Sequence, residues 1–279
     1  MLLAHDLEGD GPHLVALVHG ILGSGNNLRS LARRLAERLP GWRAMTLDLR
    51  NHGASHGAPP PHTMEACARD LGRLFEVTDV PDAVIGHSFG AKVALSWASS
   101  AERPPRQVWL LDAPIGGLHP ASDAGASSDV AAVIAAVRSV PLPVPSRAAL
   151  VEALRQRGLD EPICRWMTTN LRPSGQGLAW RFALDAIPEM LASFATTDLW
   201  PALEALVARG GSQVIVVRAG RGGRVDDVER THLAEAAARG ILEERVIPRV
   251  GHWLHTEDPE ALLALVVPRL AALEARTAT

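Results

Sequence analysis

Six short apolar runs, each bounded by turn residues, constrain this chain more than any other feature: His13 to Val18, Trp42 to Leu47, Ala83 to Ile85, Gln107 to Leu111, Gln213 to Val217 and Arg245 to Val250. Runs of this length with no polar alternation read as strands buried on both faces of a parallel sheet. Between the first two, Leu28, Leu31, Ala32, Leu35 and Leu39 keep helical spacing while Arg33, Arg34 and Glu37 occupy the other face. Strands alternating with helices imply right-handed βαβ units, hence a doubly wound, mostly parallel α/β sheet. The last helix is expected to begin at Asp258-Pro259-Glu260, a capping residue, a first-turn proline and an acid, and to carry Leu262, Leu263, Val266, Val267 and Leu270.

The alternation stops between Ile115 and Asp198. No convincing strand is legible there, and a loose Gly/Ala/Ser stretch from Gly116 to Ser128 leads into apolar stripes at Val130-Ala131-Val133-Ile134-Val137, Leu150-Val151-Leu154 and Ala183-Leu184-Ile187-Leu191. Pro141, Pro143 and Pro145 punctuate them. An insertion following a strand end lies over the carboxyl edge of an open α/β sheet, where ligands bind. We therefore expect a core of residues 1–114 and 199–279 with a helical cap insertion at 115–198. The plainer alternative is that these helices extend the core.

At 279 residues, 47% apolar and 21% charged with a net charge of −3, the chain has the composition of an ordinary soluble globular protein and nothing basic enough to bind nucleic acid. There is one lysine, Lys92, which reads as compositional bias towards arginine, and no tyrosine. Cys67 and Cys164 have neither C-x-x-C nor metal-ligand spacing, so reduced structural thiols are expected and no metal or cofactor is called for. The first residues turn acidic before an apolar core of signal-peptide length develops, and no run approaches about 18 apolar residues. A cytoplasmic protein without a membrane partner is the expectation; the oligomeric state is not readable.

Gly86-His87-Ser88-Phe89-Gly90 follows one apolar run and opens a helix-permissive stretch. A strand turning straight into a helix holds the central residue in strained backbone angles, and the flanking glycines leave room for neighbouring backbone. That makes Ser88 the candidate nucleophile, although a plain Gly-rich turn fits the same pattern. A serine hydroxyl needs a base to take its proton and a carboxylate to orient that base. His252, in Val250-Gly251-His252-Trp253-Leu254, sits in a loop after the last strand, where a base belongs; a surface loop histidine is the bland reading. His255 has no assigned role. Two N–H donors should hold the oxyanion: Phe89, next to the nucleophile, and Ile21 in the loop His19-Gly20-Ile21-Leu22-Gly23-Ser24-Gly25. That loop has neither a G-K-[ST] ending nor G-x-G-x-x-G, so a nucleotide site is not expected. In Asp48 to Ser55, Arg50 should tie neighbouring loops, and His52 reads as a satisfied loop histidine, with substrate contact as its alternative.

The acid is open. Asp112 closes the run Val108-Trp109-Leu110-Leu111, which would place it at the sheet edge beside Ser88, although an Asp before Ala113-Pro114 also caps a turn. Asp226 and Asp227 follow the Gln213 to Val217 strand, but they open a helical pattern, where carboxylates satisfy free N–H groups and the helix dipole.

Together, His19-Gly20, Asp48-x-Arg50-x-His52-Gly53-x-Ser55, Gly86-His87-Ser88-Phe89-Gly90 and Gly251-His252 resemble the α/β-hydrolase superfamily over nearly the whole chain. Arg50-Asn51-His52-Gly53, Gly86 to Lys92, Met167 to Leu171 and Trp180-Arg181-Phe182 look like the small bacterial esterases related to mammalian abhydrolase-domain protein 11. The resemblance implies a serine hydrolase acting on small carboxylic esters or thioesters, with an acid closing the strand before the cap, at Asp112. It also implies departures to weigh. That group tends to read Asp-x-Ala-Pro where this chain has Asp112-Ala113-Pro114, and a residue lost before Asp112 would turn its carboxylate to the other face. Other chemistries occur on the same fold: carbon-carbon bond hydrolysis, a lyase step, cofactor-free peroxidation, or ligand binding by a non-catalytic receptor.

Overall fold

The structure, a computed structural model, describes residues 1–118, 126–221 and 225–277. In chain order it runs β1 (His5–Glu8), β2 (His13–Val18), α1 (Arg29–Arg38), β3 (Trp42–Leu47), α2 (Met64–Val77), β4 (Ala83–His87), α3 (Phe89–Ser100) and β5 (Gln107–Leu111). There follow α4 (Ala126–Arg138), α5 (Arg147–Arg155), α6 (Glu161–Thr168), β6 (Leu171–Ser174), β7 (Gly177–Trp180) and α7 (Ile187–Thr196). The chain ends with α8 (Trp200–Ala208), β8 (Gln213–Ala219), α9 (Asp227–Ala238), β9 (Glu243–Ile247), α10 (Leu254–Glu257) and α11 (Pro259–Thr277).

Seven strands form one sheet in the order β1-β3-β2-β4-β5-β8-β9, parallel except for β1. Alternate residues of each strand feed opposite cores, as the pleat requires. Val84, Val108, Leu110 and Val216 pack in one buried cluster with α2, α3 and the elements between β5 and β8. Ile85, Trp109, Leu111 and Val217 pack in the other, against α1 and α11. Both faces being covered, β4 and β5 are buried at every residue, which is why they read as continuous apolar runs.

Two edge strands depart from the expected pattern. β1 is exposed up to its half-buried last residue, Glu8, and antiparallel to β3, so no apolar run marks it. β9 starts at Glu243, two residues before the expected run. It pairs on one side only, and Glu243 and Glu244 reach Arg269 and Arg218, so the edge is charged rather than apolar.

The stretch 115–198 contains a hairpin that was not expected. β6 and β7 pair antiparallel around Gly175, whose φ of +57° suits glycine, and Val144 exchanges two backbone hydrogen bonds with Leu178 beside them. Four-residue strands, one holding Pro173, are too short to show periodicity. The expected stripes at 130–137 and 150–154 fall on α4 and α5, while of the stripe at 183–191 Ile187 and Leu191 fall on α7 and Ala183 and Leu184 precede it. Of the loose stretch Gly116 to Ser128, residues 119–125 lie outside the described residues. Among the described residues no helix is long and apolar enough to cross a membrane.

Candidate active site

Strand register does most of the positioning. His87 pairs with Leu111 across β4 and β5, and Leu111 pairs with Val217 across β5 and β8, so Ser88 and Asp112 leave the carboxyl edge of the sheet side by side. Ser88 turns between β4 and α3 with φ +54° and ψ −120°, and its N–H donates to Leu111 O at 2.9 Å. Such angles strain a residue bearing a Cβ. The flanking glycines are needed for space: a Cβ on Gly86 would stand 2.3 Å from Gly90 O, and one on Gly90 would stand 2.4 Å from His19 O.

Asp112 is fully buried and also has a left-handed backbone, with φ +46°. Its N–H donates to Val217 O at 2.8 Å, its Oδ1 accepts from Ala219 N at 3.0 Å, and its Oδ2 accepts from His252 Nδ1 at 2.8 Å. The register is unbroken to Leu111, and the left-handed turn at the next residue frees the carboxylate from strict alternation along the strand. His252 hangs in the loop after β9. Its own carbonyl accepts from His87 Nε2 at 2.8 Å, and Gly251 N donates to Glu257 Oε2 at 2.8 Å, so the loop is held from two sides. With Nδ1–H given to Asp112, Nε2 is left to face the pocket chemistry.

Ser88, Asp112 and His252 line one cavity of about 760 Å³. Ile21, Phe89, Leu118, Ile134, Trp166 and Phe194 make its walls largely apolar, and Arg138 also lines it while its guanidinium donates to Leu184 O. Phe89 and Ile21 both reach this cavity. Asp226 and Asp227 do not. Asp226 caps α9, accepting from Glu229 N at 2.7 Å; the Asp227 side chain is 93% exposed and pairs with Arg230.

Histidines scaffold the loops around the cavity. His19 Nε2 accepts from Leu49 N at 3.0 Å and its Nδ1 donates to Gly20 O at 2.7 Å, while His52 Nε2 accepts from Leu22 N at 3.2 Å and its Nδ1 donates to Arg50 O at 3.0 Å. Each ring is thus fixed as the neutral Nδ1–H tautomer. Burial lowers His19 to a pKa of about 4 and His52 to about 3. Because these folded-state values lie below the ordinary 6.5, the unfolded chain binds more protons. The stability they contribute is complete above about pH 6.5 and is lost as pH falls towards 4. Unfolding midpoints measured from pH 7 to 4.5 should fall steadily. The fall should be shallower in His52→Gln, by about 1.4 kcal/mol per pH unit.

Arg50 ties loops together as expected, through Asp70 at 2.7 Å, Pro59 O at 3.4 Å and Pro61 O, and His52 is satisfied within the fold. Sequence reasoning missed the cluster of histidine rings at the site. His87 packs against His252 with centroids 4.7 Å apart and against His255 at 4.5 Å, and burial holds His87 and His255 below the usual histidine range. It also missed Lys92 and Glu229. A lone charge within the apolar run Ala91 to Leu95 was the available signal for Lys92. Among the described residues, no group of three or more His, Cys, Asp or Glu side chains could hold a metal ion.

Residues 15–265 match the Alpha/beta hydrolase family. The chain belongs to that family. The hydrolase is 30% identical to the sn-1-specific diacylglycerol lipase ABHD11 of Mus musculus over 276 residues, covering 95% of this chain and 83% of the relative. It is 28% identical to Esterase YbfF of Escherichia coli (strain K12), covering 90% and 91% of the two chains. Its fold superimposes on a marine microorganism esterase with a TM-score of 0.79, at 19% identity over 96% of this chain and 98% of that one.

Proposed function

We propose that the hydrolase cleaves small carboxylic esters or thioesters through an acyl-enzyme on Ser88. The observation that carries this reading is a strained serine sharing one apolar cavity with a histidine whose Nδ1 lies 2.8 Å from a buried carboxylate. Ser88 Oγ attacks the acyl carbonyl as His252 Nε2 takes its proton, and Asp112 holds His252 in the required tautomer and stabilises the imidazolium. His252 then returns the proton to the departing alcohol or thiol. Water, activated by the same nitrogen, releases the acid and restores Ser88.

The oxyanion falls to Phe89 and Ile21. As the first residue of α3, Phe89 has an N–H with no acceptor inside the helix. From Leu22 to Gly25 every amide is committed, to His52 Nε2, Gly20 O, Asn27 Oδ1 and Asp48 Oδ1, whereas the Ile21 amide has no acceptor among the described residues. Gly20 brings this loop against the nucleophile, for a Cβ there would meet Ser88 Cβ at 3.3 Å.

In this reading residues 115–198 form the cap, and their apolar walls receive an uncharged acyl group. The names of the lipase and esterase relatives support an ester bond as the target. Both cysteines are free and buried, which suits a reducing, cytoplasmic setting. A serine-directed fluorophosphonate tests the nucleophile directly. Labelling should map to Ser88 by peptide mass and slow about 10³-fold or more in His252→Ala. Absence of labelling in the wild type would leave the receptor alternative standing and overturn the hydrolytic one.

A further inference from the structure

The one lysine of this chain sits four residues after Ser88, on the buried face of α3, and is 1% exposed. Its ammonium donates to three backbone carbonyls: Gly116 O at 2.6 Å, Thr197 O at 2.7 Å and Phe194 O at 2.9 Å. Gly116 belongs to the stem by which segment 115–198 leaves the sheet, and Phe194 and Thr197 to the stem by which it returns. One nitrogen therefore joins both stems to the helix that follows Ser88.

The surroundings fit a held charge. Glu229 on α9 and Asp198 before α8 are the carboxylates near the ammonium, and they partly oppose the burial that lowers its pKa to about 8. Glu229 grips the same exit stem from the other side: its Oε1 accepts from Ile115 N at 2.5 Å and Gly116 N at 3.1 Å, and its Oε2 accepts from Trp200 Nε1 at 3.1 Å. Leu199 N to Ile115 O and Leu118 N to Ala195 O close the stems on each other. Phe194 adds the link to the site. Its ring lies 4.7 Å from Lys92 Nζ, stacks on Phe89 with centroids 5.9 Å apart, and forms part of the cavity wall.

Burying a charge is expensive, and an apolar side chain of similar length would pack against the rest of α3 without that cost. Only an ammonium offers three donors from one atom to three converging carbonyls; a guanidinium spreads its donors in a plane. We propose that Lys92 is a positioning residue that fixes the Phe194 wall against the nucleophile helix and thereby sets acyl-chain selectivity. This rests on the ester-hydrolase reading of the site.

The test compares wild type with Lys92→Met, Lys92→Arg and Phe194→Ala on p-nitrophenyl esters from acetate to dodecanoate. Lys92→Met should raise KM about tenfold for the chain length the wild type prefers, with kcat for acetate changed less than threefold, so the selectivity profile flattens. Lys92→Arg should fail to restore it. Phe194→Ala should flatten the profile in the same way, and the double variant should add little more, because both changes release one wall. A uniform loss across all chain lengths that tracks a lowered unfolding midpoint, or an unchanged profile, would overturn the proposal. Hydrogen exchange supplies a readout independent of turnover: amides of 115–118 and 194–199 should exchange at least tenfold faster in Lys92→Met. If the wild type proves inactive on every ester, the function proposed above fails, and unchanged exchange would reject the stem clip separately. Should Lys92→Met not fold, the Phe194→Ala profile decides, and a wild-type profile there rejects the role.

Discussion

Ser88→Ala is expected to lower kcat on p-nitrophenyl butyrate by about 10⁵- to 10⁶-fold, with far-UV circular dichroism unchanged. The size follows from the proposed mechanism: the substitution removes the atom that would form the acyl-enzyme and leaves the amides of Phe89 and Ile21 in place, so the remaining rate would reflect binding and oxyanion stabilisation alone. The backbone separates this loss from misfolding. At φ +54° and ψ −120° an alanine is as strained as the serine, so the unfolding midpoint should barely move. Ser88→Gly removes the Cβ responsible for the strain and should be equally inactive yet more stable, by about 1 kcal/mol. An inactive variant that gains stability marks a residue held against its own conformational preference for the sake of chemistry. Equal turnover by wild type and Ser88→Ala would place the reaction elsewhere in the molecule.

Asp112→Asn should cost about 10⁴-fold in kcat. The carboxylate accepts two hydrogen bonds, from Ala219 N and from His252 Nδ1, and asparagine has one acceptor to offer. If its amide oxygen stays on Ala219, its NH₂ faces His252 and drives the proton to Nε2, where the ring can no longer accept from Ser88. If the amide flips, two donors oppose each other at Ala219. Asp226→Asn and Asp227→Asn should both stay within about threefold of wild type, since one side chain caps α9 and the other is exposed on Arg230. Replacing the cap by alanine should cost about 1 kcal/mol of stability and no activity. A 10⁴-fold loss confined to Asp226→Asn, with Asp112→Asn near wild type, would reassign the acid.

The central strands were legible because burial on both faces writes itself as unbroken apolar runs; β2, β3 and β5 fall on the expected residues. β1 was not, since it is largely exposed, and the expected run at Arg245 to Val250 overlaps β9 only at Arg245 to Ile247 because the strand opens on two charged residues, Glu243 and Glu244. Hairpin β6–β7 escaped because four residues cannot establish a period. At the site, Ser88 and His252 were legible from local chemistry: a glycine-flanked serine between strand and helix, and a histidine after the last strand. Lys92 was visible as a residue and not as a role, because its three acceptors are carbonyls from positions 24, 102 and 105 residues away, and backbone carbonyls carry no sequence signature.

What the sequence determined by itself was the alternation of the central strands with helices and the chemical types available at each loop, for these depend on side chains over short distances. What only the tertiary structure decided was which of those groups meet. Of the three candidate acids, Asp112 is the one that meets His252, because the pairing of β4, β5 and β8 sets Leu111 against His87 and Val217 and a left-handed turn follows it. The physical reason is that the Asp112–His252 contact spans 140 residues and is fixed by strand register and backbone dihedrals rather than by any property of Asp112 or its neighbours alone.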